Sequence, residues 1–217
     1  MVVGQDWEPI SDINKLSSEY KLALETPREA NLNIWDEMVR KPKSTTCKFL
    51  LYFLEQSARI ERLNLPDNFI DDIYVTNAVL CARRGNNYRG NNNFLPRICT
   101  HNCSGFLERQ IRIVKPMVII TLGEWSLWSL NQIFNLGYDG GITTYIERLQ
   151  KQDTPYLRVS DSQFPIYVVP VFHPVAMRSK AQQIEDYRGV WKALLEGMKE
   201  DDIIKHCFSK RLSKTGN

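Results

Sequence analysis

The run Met117-Val118-Ile119-Ile120-Thr121-Leu122 constrains the fold of this chain more than any other stretch. It is continuously apolar rather than alternating, so as a strand it needs cover on both faces. That is the condition of a parallel strand with helices packed above and below it. Three more β-rich runs share one property with it: each ends in residues able to do chemistry. Val2-Val3 leads into Gly4-Gln5-Asp6, Ile73-Tyr74-Val75-Thr76 into Asn77, and Ile166 to Phe172 into His173-Pro174, while Leu122 leads into Gly123-Glu124. In open α/β sheets, ligands bind outside the carboxyl ends of parallel strands. As parallel neighbours, these strands would bring Asp6, Asn77 and His173 to one cleft.

Helical patterns separate the strand patterns. Thr45 or Thr46 can cap a helix with Phe49, Leu50, Phe53 and Leu54 on its apolar side. Asn102 can cap another, with Phe106, Leu107, Ile111 and Val114 on a 3.6-period face, ended by Lys115-Pro116. Glu124 to Phe134 and about Gln182 to Met198 read as two more. The stretch from Gly137 to Pro165 yields only a turn at Gly140-Gly141 and a short helix over Tyr145 to Leu149. Strands and helices in alternation predict an α/β fold, a three-layer α/β/α sandwich with a mainly parallel central sheet. We expect a single domain over residues 1–200 and a basic tail over 201–217 that carries Lys205, Lys210, Arg211 and Lys214.

Composition narrows the class. Of 217 residues, 43% are hydrophobic, enough for a sizeable core and too many for a disordered chain. No apolar run approaches the ~18–20 residues of a membrane helix, and no secretory leader opens the sequence, so an intracellular location is expected. A net charge of +3 permits an anionic partner without demanding one. The cysteines are Cys47, Cys81, Cys99, Cys103 and Cys207, an odd and scattered set that suits reduced thiols. Cys99-Thr100-His101-Asn102-Cys103 lacks a second close pair to complete a four-ligand site, so no metal is expected.

Asp6 follows Gly4, where a small residue lets backbone approach a ligand, and its carboxylate can orient a water or stabilise positive charge. Asn77 offers an acceptor and two donors, suited to a nucleobase edge where a carbonyl and an N–H lie side by side. His173 can donate to a developing oxyanion. Each has an ordinary alternative: a turn Asp bonding its own backbone, an Asn closing a strand, a His bonding a turn.

Taken in order, these segments resemble the uracil-DNA glycosylase superfamily over nearly the whole chain. Gly4-Gln5-Asp6 resembles the start of its water-activating motif, and Thr76-Asn77-Ala78-Val79-Leu80 the strand with its base-reading Asn. Cys103-Ser104-Gly105-Phe106-Leu107-Glu108-Arg109-Gln110-Ile111, with Lys115-Pro116 and Leu122-Gly123, is similar to the helix–strand unit of branches with iron–sulfur members. His173-Pro174-Val175-Ala176-Met177 resembles the His-Pro loop.

The resemblance implies a base-flipping glycosylase that acts on uracil or a related deaminated base in DNA. Asn77 would read the uracil edge, and backbone at Gly4 and Gln5 would bind the base. Asp6 would position the attacking water, and His173 would hydrogen-bond the departing base. Met177 would fill the vacated stack as an apolar wedge, and Arg178, Ser179 and Lys180 would grip phosphates. Tyr20, Trp35 and Phe49 are candidates to stack on the base. The chain departs from the family pattern at Trp7-Glu8-Pro9, where the water-activating branch has Pro-Tyr-His. Cys81 and Cys103 match two of the four cysteine positions of cluster-bearing relatives, and the other two would precede the first motif. No iron–sulfur cluster is therefore expected in this chain, and monomer is the default state. The competing expectation is a catalytically inactive member of the fold that binds nucleic acid or protein. A nucleotide-binding enzyme of other chemistry is disfavoured, because the chain has no Gly-rich phosphate loop.

Overall fold

One five-stranded sheet organises the computed structural model, in which residues 1–6, 45–62, 73–79, 94–152, 155–159, 165–176 and 178–200 are described. At 5–6, 45–47, 79, 94–97 and 198–200 the description is of backbone only. The strands are β1 (Val2–Asp6), β2 (Val75–Val79), β3 (Val118–Leu122), β4 (Leu157–Val159) and β5 (Ile166–Val171). Their spatial order is β2-β1-β3-β5-β4. All neighbouring pairs are parallel except the last, where the short β4 runs antiparallel along the edge of β5.

The described helices are α1 (Thr45–Ile60), α2 (Phe94–Val114), α3 (Glu124–Phe134), α4 (Ile142–Lys151) and α5 (Lys180–Glu200). They divide between the two faces of the sheet. On one face Val2, Leu122, Val169 and Val171 pack with Leu50, Phe53 and Leu54 of α1 and with Tyr187, Val190 and Ala193 of α5. On the other, Val3, Ile119 and Val168 pack with Leu107 and Ile111 of α2 and Leu130 of α3. Both faces are covered, as the unbroken apolar run in β3 requires. All six residues of β5 are buried for the same reason.

Side-chain bonds tie the helices together and to the sheet. The Phe53 and Tyr187 rings stack at 5.6 Å, and Trp191 Nε1–H donates to the Leu54 carbonyl at 3.0 Å. Arg188 of α5 pairs with Glu61, just after α1. On the opposite face the Thr76 hydroxyl of β2 bonds the Gln110 side chain of α2 at 2.9 Å. A third cluster, Leu127, Tyr138, Tyr145 and Leu149, seats α4 against α3 beside the β4 edge.

Several boundaries differ from the sequence reading. β1 continues to Asp6, because its pairing with β2 persists through Gly4↔Asn77 and Asp6↔Val79. Asn77 accordingly lies inside β2 rather than after it. α2 begins at Phe94, not at Asn102, which is exposed within the helix. Pro96 stands in its first turn, where a missing N–H costs nothing. α5 begins at Lys180, where Ser179 Oγ accepts the N–H of Gln182 at 3.1 Å in an N-cap. β4 lies in the stretch that the pattern left open, too short for its period to show. Residues 201–217 lie outside the described residues.

Phe53→Ala removes the ring on which α1 meets α5, where Phe53 is 1% exposed. A loss of about 3–5 kcal/mol in urea unfolding is expected. A loss below about 1 kcal/mol would mean that this interface does not hold the layer.

Candidate active site

β3 and β5 end together, at Leu122 and Val171, and β1 and β2 run two residues past that row, to Asp6 and Val79. Gly4 lies beside Asn77 across the β1–β2 pair, and Leu122 beside Val171 across the β3–β5 pair. The Gly123 N–H extends the second pairing by donating to the Val171 carbonyl at 2.9 Å. Gly123 has φ 87°, so the turn from β3 into α3 needs a glycine there. β1 has β2 on one side and β3 on the other, so the order of the strands reverses across β1. A crevice is expected outside the carboxyl ends of β1 and β3, at that switch point. Asn77 flanks it from β2 and His173 from the segment after β5. The outer strands of this set are three inter-strand steps apart, roughly 14 Å at about 4.8 Å each.

Asn77 is half-buried and shares a register position with Gly4. A Cβ built on Gly4 would lie 2.3 Å from Asn77 Oδ1. Any larger residue at position 4 would therefore displace the amide. The glycine is there because the neighbouring side chain occupies the volume that its own Cβ would fill.

His173 is half-buried, and burial lowers its pKa below the usual 6.5, because a charged imidazole loses more hydration than a neutral one. Its Nδ1 accepts the Val175 N–H at 3.3 Å. A nitrogen that accepts carries no proton, so the neutral ring bears its hydrogen on Nε2. The Ala176 N–H donates to the His173 carbonyl at 2.8 Å and closes the turn. His173 is thus a neutral ring with its donor fixed on one nitrogen.

The other expected site residues are distributed as follows. The backbone of Gln5 and Asp6 ends β1 at the crevice; their side chains and Met177 lie outside the described residues. Arg178 has its guanidinium 3.7 Å from the centroid of the Phe172 ring, and its Nε forms a 3.5 Å ion pair with Asp186 Oδ2. Ser179 caps α5 with an oxygen that accepts, which leaves its hydroxyl proton to donate. Lys180 is exposed. Phe49 packs on the α1–α5 core and stacks on Phe53 at 6.0 Å; Tyr20 and Trp35 lie outside the described residues. Cys103 is buried on α2 and Cys81 lies outside the described residues. Among the described residues no three His, Cys, Asp or Glu side chains come together as a metal-binding group.

Two residues beside the His173 loop were missed by sequence reasoning. Gln183 and Asp186 sit in the first two turns of α5, and both contact the loop. The pattern Ser179-Lys180-Ala181-Gln182 was the available signal. It resembles a capping box and would have started α5 at Lys180.

The model of the Uracil DNA glycosylase superfamily matches residues 39–195, a span that includes Asn77 and His173 and begins after Gly4 and Asp6. The type-4 uracil-DNA glycosylase of Archaeoglobus fulgidus is 25% identical over 139 residues, covering 63% of this chain and 62% of that protein. Its counterpart from Saccharolobus solfataricus is 28% identical over 130 residues, covering 57% of this chain and 53% of that protein. The chain thus spans less than two thirds of the length of either relative.

Gly4→Ala tests the close approach of β1 and β2. The Cβ is expected to rotate the Asn77 amide out of place, at a stability cost of roughly 1–3 kcal/mol from overpacking. Unchanged Asn77 side-chain amide signals in the variant's NMR spectrum would show that the glycine is dispensable.

Proposed function

The chain belongs to the uracil DNA glycosylase superfamily, and from that premise we propose that it hydrolyses the N-glycosidic bond of uracil, or of a related deaminated base, in DNA. The observation that carries this reading is the fit of the Asn77 amide over Gly4 at the carboxyl edge of the sheet. Close to β1, the amide offers an acceptor and two donors to the edge of a base.

The glycosidic bond cannot be reached inside a duplex, so the nucleotide leaves the stack to enter the crevice. Asn77 Oδ1 accepts from the uracil N3–H, and its Nδ2 donates to the adjacent carbonyl. Backbone at Gly4 and Gln5 contacts the base. Asp6 holds a water against C1′ and stabilises the positive charge that grows on the sugar. The water oxygen bonds to C1′, the C1′–N1 bond breaks, and its electron pair leaves with the base. The water's proton passes by way of Asp6 to solvent. Charge on the departing base spreads to O2, where His173 Nε2–H donates. A neutral donor suits this task, since its hydrogen bond strengthens as the oxygen becomes anionic. Met177 takes the place of the flipped base, and Lys180 and Ser179 contact phosphates. Acting from a local patch, these groups need no large net charge.

Trp7-Glu8-Pro9 favours a second reading. Glu8 adds a negative charge two residues after Asp6 in sequence, and a member of the fold so altered would bind nucleic acid or protein without cleaving.

Release of free base from oligonucleotides with a single uracil, single-stranded or opposite guanine or adenine, separates the two. Cleavage is expected, with Asp6→Asn slower by ~10²-fold or more at nearly unchanged DNA affinity. Binding without release from any of the substrates would establish the second reading.

The state of His173 sets the pH dependence. Burial lowers its pKa, so the fall in activity that accompanies protonation of the ring is expected at a lower pH than an ordinary imidazole would give. Folding follows the same sign. Below 6.5 the unfolded chain takes the proton first, so the stability contribution of His173 is complete above 6.5 and declines as pH falls below it. An NMR titration that put the His173 pKa at or above 6.5 would remove the neutral donor.

A further inference from the structure

We propose that Gln183 is a positioning residue for the His173 loop, acting through its side-chain amide on two loop carbonyls. This rests on the reading of His173 as the donor to the departing base.

Gln183 is 5% exposed, so its amide depends on protein partners. Its Nε2 donates to the Ala176 carbonyl at 3.1 Å and to the Arg178 carbonyl at 3.2 Å. Each of its two N–H bonds has its own acceptor. The opposite amide orientation would place Oε1 against both carbonyl oxygens, so the chemistry of the partners fixes the orientation. Oε1 is buried and has no hydrogen-bond partner among the described residues. Both donors of the Gln183 amide go to the loop.

From Gln183 the constraint reaches the imidazole in two short steps. The Ala176 carbonyl is held by Gln183, and the N–H of the same residue donates to the His173 carbonyl. Inside that turn the Val175 N–H donates to His173 Nδ1, which keeps the ring proton on Nε2. The far end of the loop is held from the same helix. Asp186, whose side chain is 7% exposed, pairs with the Arg178 guanidinium lying over Phe172. Gln183 and Asp186 are three apart on α5, so one helix face grips both ends of the turn. Burial raises the pKa of Asp186, and Arg178 opposes that rise without cancelling it. The Gln183 clamp carries no net charge and does not depend on that titration.

The experiment compares Gln183→Met, which keeps length and loses both donors, with the natural chain. Long-range ¹H–¹⁵N NMR reads the His173 tautomer, and kcat and KM are measured on uracil-containing DNA. We expect a pure Nε2–H ring in the natural chain and a mixture of tautomers in Gln183→Met. With the ring misplaced, kcat should fall ~10- to ~100-fold, with KM changed far less. A folded Gln183→Met with an unaltered tautomer and unaltered kcat would overturn the proposal. Should that variant not fold, the natural chain decides. An Nδ1–H ring, or a Gln183 side-chain NH2 that exchanges as fast as an exposed amide, would overturn the proposal; the Nε2–H ring with a slowly exchanging Gln183 side-chain amide would support it. If the natural chain releases no base, the glycosylase reading fails by itself, and the tautomer comparison still tests the clamp.

Discussion

Two-sided burial of the parallel sheet governs the rest of the molecule. A strand such as β3, apolar along its length, is stable only between two helical layers, and both layers are present: α1 with α5 on one face, α2 with α3 on the other. Parallel pairing then forces each connection to cross back along the sheet. The carboxyl ends of β1, β2, β3 and β5 collect at one edge as a result. The candidate site is a consequence of this geometry, since that edge is where strand order reverses and a crevice can open.

Within the edge, different kinds of restraint hold the two described groups. Asn77 is placed against β1, its amide filling the volume that a Cβ on Gly4 would take. His173 is fixed by hydrogen bonds, with one ring nitrogen occupied by the Val175 N–H and its turn closed by Ala176. Burial adds a third effect by keeping the ring neutral. For the function proposed, His173 must carry its proton on a known atom, and the Val175 bond supplies that condition.

α5 joins the core to the site. Its Tyr187, Val190 and Ala193 pack in the layer against α1, while Gln183 and Asp186 in its first turns reach the loop that carries His173. Packing of the helix therefore sets the height of the loop above the sheet. The same arrangement engages Arg178 within the protein, through Phe172 and Asp186. Lys180, exposed at the start of α5, is the neighbouring cation turned to solvent.

Much of this was legible in the residues. The apolar run in β3 required a covered parallel strand, and the alternation of patterns required three layers. The helix Glu124–Phe134 was legible to the residue, because a glycine and an apolar stripe bound it. Local patterns misplaced the starts of α2 and α5: Asn102 fits a capping rule whose outcome depends on where the first turn packs, and the apolar spacing of α5 begins to show only after its capped first turn. β4 was invisible, as three residues are too few for a period. The roles of Gly4 and Gln183 belong to tertiary structure alone. What fills the space over Gly4 is a side chain 73 residues away in sequence, and what Gln183 donates to is a pair of carbonyls placed by the return of the loop onto its helix. Sequence determined which of the longer elements form and which strands carry or lead into polar residues. Only the packed chain decided which neighbours restrain those groups, because restraint depends on distances between segments that no local pattern encodes.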